Sequence, residues 1–215
     1  LKSAASPAAE VSLGAVFFNK ELLRLNLGIF ILHMAQMTLF VVVPLKLCAL
    51  DFAVERHWMA YLPAVLIAFA GLMPILRFVE RRSLFKELFV CSIALLLIVF
   101  AAFEFLDRTV LGIAFLLLVF FFGFNILEAS LPSLVSRTAP LGARGLALGV
   151  YNTTQSIGLF VGGAAGGWLA GRWGSAAAYA FCALLMLVWI AAARGMKLPR
   201  THEPGEELDL NTAHS

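Results

Sequence analysis

The sequence predicts an all-α membrane protein that crosses the bilayer six times. Of its 215 residues, 61% are hydrophobic and only 13% are charged. Average proteins carry roughly 25% charged residues, so the surplus apolar surface is expected to face lipid. Six stretches have about the 20 mostly apolar residues that a helix needs to cross the hydrocarbon layer. Runs such as Ile113 to Phe124 are apolar on every side, which argues against the alternating strands of a membrane barrel.

The six predicted spans follow one another with short charged intervals between them. They lie, in order, between Arg24 and Lys46, His57 and Arg77, Glu87 and Asp107, Arg108 and Glu128, Arg144 and Arg172, and Arg172 and Arg194. The third span is long enough only if it tolerates Glu104. The second span has Pro63 and Pro74 at its two ends, where the missing backbone donors permit bends.

The two polar ends of the chain are predicted to lie outside the bundle. Residues 1–24 begin with an Ala/Ser/Pro-rich segment and are expected to form a cytoplasmic linker, whereas residues 198–215 are expected to form a flexible cytoplasmic tail. The bundle itself is predicted to occupy residues 25–197. The chain begins at Leu1 without the basic and apolar regions of a signal peptide, so we expect it to be a fragment of a longer protein.

The basic residues predict the orientation of the bundle, since Lys and Arg are in excess on cytoplasmic loops. Sorting all 16 by alternate loops places 12 on one side and only four, Lys46, Arg56, Arg108 and Arg172, on the other. Both termini are therefore predicted to be cytoplasmic. Merging or missing one span would scramble this division, so it also supports the number of spans.

The composition argues against several other classes of protein. The net charge of +3 comes without a dense basic run, so a nucleic-acid partner is not expected. Cys48, Cys91 and Cys182 lie far apart in apolar stretches without metal-ligand spacing, which predicts buried thiols rather than disulfides or a zinc site. We expect neither a metal nor another cofactor.

The polar side chains inside the spans are unevenly distributed. Such residues are expensive in a membrane and mark helices that contact something other than lipid. The third and sixth spans contain nothing more polar than Ser92 and Tyr179 and are predicted to be peripheral. The candidates for a substrate or proton pathway lie on spans one, four and five: His33, Gln36, Asn125, Glu128, Asn152 and Gln155.

The fifth span has one glycine-rich half in helical projection. Small residues four apart allow close approach of helix backbones, and this face is predicted to pack against protein. Its members are Gly158, Gly162, Gly163, Gly166 and Gly167. Asn152 and Gln155 fall on the same half, one to two turns earlier, and are better placed to line a cavity.

The loop before the fifth span carries a motif that resembles a known family. Pro140-x3-Arg144-Gly145, followed by the glycine-rich helix, is similar to the link between the tenth and eleventh helices of the major facilitator superfamily. The segment Phe124 to Ser133 resembles a branch of its bacterial drug:proton antiporters, the YajR-type group, and so does Leu25 to His33. The resemblance covers about residues 17–197.

This resemblance implies a fold and a missing partner. The chain would be the C-terminal six-helix half of a twelve-helix transporter, built as a 3+3 inverted repeat, and the N-terminal half would be absent. In that fold helices 7, 8, 10 and 11 line the central cavity. The family signature between helices 8 and 9 is incomplete here, because Arg77-x2-Glu80-Arg81-Arg82 lacks the Asp and the second Gly in register.

The leading functional hypothesis is secondary transport across a bacterial inner membrane. Export of a small amphipathic compound in exchange for protons would proceed by alternating access. Transport of another solute, such as a sugar or metabolite, remains an alternative. An intramembrane enzyme is a rival class, but the sequence offers no Gly-x-Ser-x-Gly or His-Glu-x2-His motif, and no charge ring or carbonyl filter suggests a pore.

Three polar residues have structural interpretations beside the functional ones. His33 could simply bond Gln36 or a backbone carbonyl one turn away, since an unpaired histidine is costly in lipid. Glu128 is the stronger functional candidate, although it could pair with Arg137, Arg144 or a helix N-terminus. Lys46 is expected to extend its amine to the membrane surface.

Overall fold

A computed structural model describes residues 13–82, 84–140 and 142–196 of the protein. These residues form six long helices and one short one. The helices are α1 (Leu13–Phe17), α2 (Lys20–Ala49), α3 (Trp58–Arg82), α4 (Phe85–Leu106), α5 (Val110–Thr138), α6 (Arg144–Trp173) and α7 (Ser175–Arg194), with a single 3-10 turn at Val54–Arg56. Within those ranges there is no strand, and the predicted all-α fold is confirmed. The predicted tail and the first half of the predicted linker lie outside the described residues.

Side-chain caps fix where two of these helices begin. The Asn19 Oδ1 accepts from the backbone N–H groups of Glu21 and Leu22, at 2.9 and 3.2 Å. The Thr109 Oγ1 likewise accepts from Gly112 N at 3.0 Å. Such caps satisfy donors that have no partner inside the helix. As a result α2 begins at Lys20, within the segment predicted as linker.

Five of the six long helices, α2, α3, α4, α5 and α7, are long and apolar enough to cross a membrane. The remaining helix, α6, is 30 residues long but less apolar, because glycines and the run Asn152 to Ser156 interrupt its hydrophobic residues. A membrane helix that is polar on one side needs protein or water there. The lower hydropathy of α6 therefore indicates that one of its sides contacts protein or water and not lipid.

The pairs of helices in contact reveal the 3+3 inverted repeat. In such a repeat, α2, α3 and α4 correspond to α5, α6 and α7, respectively. The contact between α2 and α6 should therefore have a counterpart between α5 and α3. The contact between α2 and α7 should likewise have a counterpart between α5 and α4. All four pairs are present, and α4 also packs on α7. Half of a twelve-helix fold is built in this way.

The closest approach in the bundle is between α2 and α6. A Cβ atom at Gly158 would lie 2.6 Å from the Phe30 carbonyl oxygen, and one at Gly166 would lie 2.8 Å from the Thr38 Cα. Between them the Thr38 hydroxyl donates to the Gly162 carbonyl at 3.0 Å. The contacts advance in the same direction along both helices, so α2 and α6 run parallel. This agrees with the predicted topology, in which the first and fifth of six successive helices cross the membrane in the same direction.

The C-terminal end of α2 carries an ion pair that the sequence did not predict. The Lys46 Nζ lies 2.7 Å from the Asp107 Oδ2, at the C-terminal end of α4. The Lys46 amine therefore has a protein partner at the end of its helix. One prediction is corrected, because Cys48 and Cys91 are exposed and only Cys182 is buried.

Candidate functional site

Three of the predicted polar side chains meet between helices α2, α5 and α6. The Gln155 Nε2 lies 2.6 Å from the His33 Nε2 and 3.4 Å from the Glu128 Oε1. The His33 Nε2 and the Glu128 Oε2 are 3.6 Å apart. We call these three residues the His33 cluster. Its members are far apart in sequence, so packing of the three helices is what brings them together.

The surroundings of His33 define its protonation state in this arrangement. The residue is only 4% exposed, and its ring meets the Phe124 ring edge to face at 5.6 Å between centroids. Its Nδ1 lies 3.2 Å from the Ile29 carbonyl one turn earlier, and a carbonyl can only accept, so Nδ1 carries the hydrogen. The amide nitrogen of Gln155 is a donor, so Nε2 must be the accepting nitrogen of a neutral imidazole.

The Glu128 carboxylate is held on one oxygen and free on the other. Oε1 accepts a long hydrogen bond from the Gln155 amide, whereas Oε2 is buried and has no hydrogen-bond partner. The side chain as a whole is 35% exposed, so one side of the cluster is open. An accepting imidazole beside a carboxylate can bind a proton, and either group can hold it.

The structure decides between the partners expected for these residues. The Glu128 carboxylate lies 3.6 Å from the His33 imidazole, and among the described residues it forms no ion pair with Arg137 or Arg144. His33 uses a backbone carbonyl one turn away, as one interpretation expected, but it does not use Gln36.

Three other candidates lie within one turn of a member of the His33 cluster but are not bonded to it. Gln36 and Asn125 are partly buried, and the Asn125 Nδ2 is buried without a hydrogen-bond partner. Asn152 is exposed on α6. No hydrogen bond among the described residues joins any of the three to the cluster.

Tyr151 is a neighbour of the cluster that the sequence reasoning missed. It is 2% exposed, its hydroxyl has no hydrogen-bond partner, and it lies close enough to Glu128 to interact with its charge. The signal in the sequence was its position one turn before Gln155, which places both on one face of α6.

The loop motif lies at the start of α6, remote from the cluster. The Pro140 carbonyl accepts from Ala143 N at 3.0 Å, and Gly142 between them has φ of 84°. Arg144 and Gly145 follow as the exposed first residues of α6, and a Cβ at Gly145 would meet nothing within 4 Å. The motif therefore builds a tight turn that presents Arg144 at the helix N-terminus.

Two surface depressions of the bundle lie away from the His33 cluster. One of about 430 Å³ is lined by Lys86, Glu87, Val90 and Cys91 on α4. Another of about 410 Å³ lies between α4 and α7 around Tyr179. Neither is lined by a residue of the cluster. Among the described residues no three His, Cys, Asp or Glu side chains are grouped as metal ligands.

Comparison with known proteins gives a consistent family. A family model described as Major Facilitator Superfamily matches residues 25–212. The inner membrane transport protein YajR of Escherichia coli K12 is 35% identical over 192 residues, which cover 87% of this chain and 41% of that protein. An uncharacterized transporter of Buchnera aphidicola from Acyrthosiphon pisum is 32% identical over 67% of this chain and 37% of its own length. The chain thus spans less than half the length of these relatives.

Proposed function

Since the chain belongs to the major facilitator superfamily, we propose that it forms one half of a proton-coupled exporter of small amphipathic organic compounds. The coarse function follows from the family and from the transporters among its relatives: the protein is a membrane transporter and not an enzyme. Proton coupling, the direction of transport and the class of compound belong to the proposal.

The His33 cluster is the observation that carries the proposal. An ionisable side chain inside a membrane is costly and is by default a functional candidate. Here two such groups lie 3.6 Å apart on different helices, with an amide bridging them. A proton gained or lost at this point alters contacts among α2, α5 and α6, which is what coupling requires.

The exposed side of α6 supports a second six-helix bundle as the partner. Asn152, Thr153 and Ser156 are all exposed on that helix, within one turn of Gln155. A polar surface of this kind is unfavourable against lipid tails but suits a water-filled cavity between two bundles. The proposed partner is the N-terminal half of the same transporter, and the whole works by alternating access in the lipid bilayer.

The proposed location is the bacterial inner membrane, with both termini cytoplasmic. YajR of Escherichia coli is an inner membrane transport protein, and this similarity supports the proposed location. The division of the basic residues between the two sides supports the proposed orientation. In this orientation the start of α6, with Pro140, Arg144 and Gly145, faces the cytoplasm.

Transport by the complete protein tests the proposal. The transporter, reconstituted with a proton gradient across the vesicle membrane, should move a lipophilic organic compound uphill and collapse the gradient as it does so. A panel of cationic, neutral and anionic amphipathic compounds would define the class. Uphill transport that ignores the proton gradient would refute the coupling, and transport of sugars alone would refute the proposed substrates.

A further inference from the structure

The His33 cluster can form two hydrogen-bond networks that exclude each other. The network observed is that of a neutral imidazole, in which Nδ1 donates to the Ile29 carbonyl and Nε2 accepts from the Gln155 amide. This contact, at 2.6 Å, ties α2 to α6. The second hydrogen of the same amide faces the Glu128 Oε1 on α5.

A proton on His33 Nε2 makes this network impossible. The nitrogen becomes a donor, and two donors, the imidazolium N–H and the amide N–H, then face each other. Rotation of the Gln155 amide does not solve the conflict, because its carbonyl oxygen would then face the carboxylate oxygen that the amide nitrogen now contacts. The imidazolium needs another acceptor.

The Glu128 Oε2 is positioned to be that acceptor. It is buried, it has no hydrogen-bond partner, and it lies 3.6 Å from His33 Nε2. A charge-assisted N–H···O bond is about 2.7–2.9 Å long, so a movement of less than about 1 Å would form it. A buried acceptor without a donor is rare in proteins, and protonation of His33 would supply the donor it lacks.

We propose that His33 Nε2 is the proton-binding atom of the transport cycle and that Gln155 is a positioning residue whose amide holds the imidazole to α6 until protonation transfers it to Glu128 on α5. This inference rests on the proposed proton coupling and extends it. The N–H bond at Nε2 is the only covalent bond that proton uptake forms. The hydrogen bond to Gln155 breaks, and an ion pair with Glu128 forms.

His33 and Glu128 are the principal ionisable groups where α2, α5 and α6 meet. Of the helices packed on α2, α6 contributes Tyr151 between its terminal arginines, and α7 contributes Tyr179 and Cys182 before Arg194. On α5 the only acid is Glu128, with Arg137 at the far end of the helix. The Lys46–Asp107 pair lies at the other end of α2.

Titration of His33 tests the proposal directly. The probe is nitrogen-15 labelled histidine in the complete transporter in lipid nanodiscs, with the His33 signal assigned by its loss in His33→Gln. Replacing Gln155 with Leu removes a donor that favours the neutral ring, so the midpoint should move to higher pH by about half to one unit. Replacing Glu128 with Gln removes the counter-charge, so the midpoint should move to lower pH by about one unit.

Two controls separate this mechanism from a general loss of structure. Ser130→Ala removes a buried hydroxyl of α5 that bonds only the Ile126 carbonyl of its own helix, and it should leave the midpoint unchanged. The wild-type neutral ring should carry its hydrogen on Nδ1. Midpoints that move in the same direction in both cluster variants, or a hydrogen on Nε2 in the neutral ring, would overturn the inference.

Transport measurements distinguish failure of this inference from failure of the proposed function. Substrate-driven proton release should disappear in His33→Gln. If the wild type releases protons and His33→Gln releases as many, the coupling stands and His33 is not its proton site. If the wild type releases none, the proposed function itself is wrong, and the role of His33 as a transport proton site is wrong with it.

Discussion

At the scale of single residues, the ionisable side chains His33 and Lys46 each have a particular partner in this bundle. His33 is served by the Ile29 carbonyl and the Gln155 amide, and Lys46 by Asp107. Among the buried polar atoms without a hydrogen-bond partner, the Glu128 Oε2 lies beside His33, and the Tyr151 hydroxyl is close enough to interact with the Glu128 charge. An unsatisfied polar atom costs free energy in a membrane, which supports the proposed role of this cluster.

The Lys46–Asp107 pair allows a prediction at this scale. Lys46→Met should lower the free energy of unfolding by about 1 to 3 kcal/mol, because Asp107 would remain buried without a partner. This is less than for a fully buried pair, since the Lys46 side chain is 29% exposed. Denaturant or thermal unfolding in detergent measures the loss.

The controls for this pair are a second single variant and a double variant. Lys86→Met, at an exposed position on α4, should change the stability little. Lys46→Met combined with Asp107→Asn should recover part of the loss, because the unpaired charge is gone. Equal losses in the Lys46 and Lys86 variants would show that the pair contributes nothing.

At the scale of helices, the glycines of α6 allow α2 to approach. Gly158, Gly162 and Gly166 recur every four residues and are all buried against α2, which runs parallel to α6. Dispersion contacts and the Thr38 hydroxyl bond then hold two helices together where lipid supplies no hydrophobic driving force. The same contact sets the position of Gln155 relative to His33.

A Cβ atom alone should be enough to disturb this contact. Gly162→Ala should lower the free energy of unfolding by about 1 to 3 kcal/mol, since the Met34 backbone leaves no room for the methyl group. Gly149→Ala is the matched control on the same helix, where a Cβ would meet nothing within 4 Å. That change should be neutral or stabilise by up to about 1 kcal/mol. Similar destabilisation by both variants would argue against close approach at Gly162.

The helices were easier to predict from the sequence than their contacts. Apolar length and the alternation of basic loops are local properties, so all six spans could be found, including the less apolar α6. The start of α2 was missed because a polar first turn, capped by Asn19, extends beyond the apolar segment. The partners of Lys46 and Glu128 were missed because they lie on other helices, and spacing along one helix does not reveal them.

The polar candidates show the same limit at the site. Membrane burial identified His33, Glu128 and Gln155 as unusual, but it gave equal weight to Gln36 and Asn152, whose side chains form no hydrogen bond with them among the described residues. Which residues converge depends on helix rotation and crossing, and these follow from packing such as the glycine contact. Tyr151 was overlooked because an amphipathic tyrosine is unremarkable in a span.

At the scale of the whole molecule, two three-helix repeats build one bundle whose polar side is α2, α5 and α6. The repeat explains why α2 packs on α6 and α5 on α3, and it leaves α4 and α7 to pack on each other. The His33 cluster lies on α2, α5 and α6, whereas α4 and α7 contribute no residue to it.

The proposed orientation of the bundle can be tested with single cysteines. In a variant that lacks the three native cysteines, Glu55→Cys should react with an impermeant maleimide in intact cells, whereas Arg144→Cys should be protected until the membrane is opened. Both positions are exposed, so access depends on the side of the membrane and not on burial. Labelling of Arg144→Cys in intact cells, with protection of Glu55→Cys, would reverse the topology.

Substrate-driven proton release is the most direct test of the proposal that the His33 cluster couples protons to transport. In weakly buffered detergent solution, adding substrate to the complete transporter should release protons from the wild type and from Glu104→Gln, an exposed carboxylate on α4. Glu128→Gln should release none while still binding substrate, because the counter-ion that stabilises the bound proton is lost. Proton release from correctly folded Glu128→Gln equal to that of the wild type would contradict the claim.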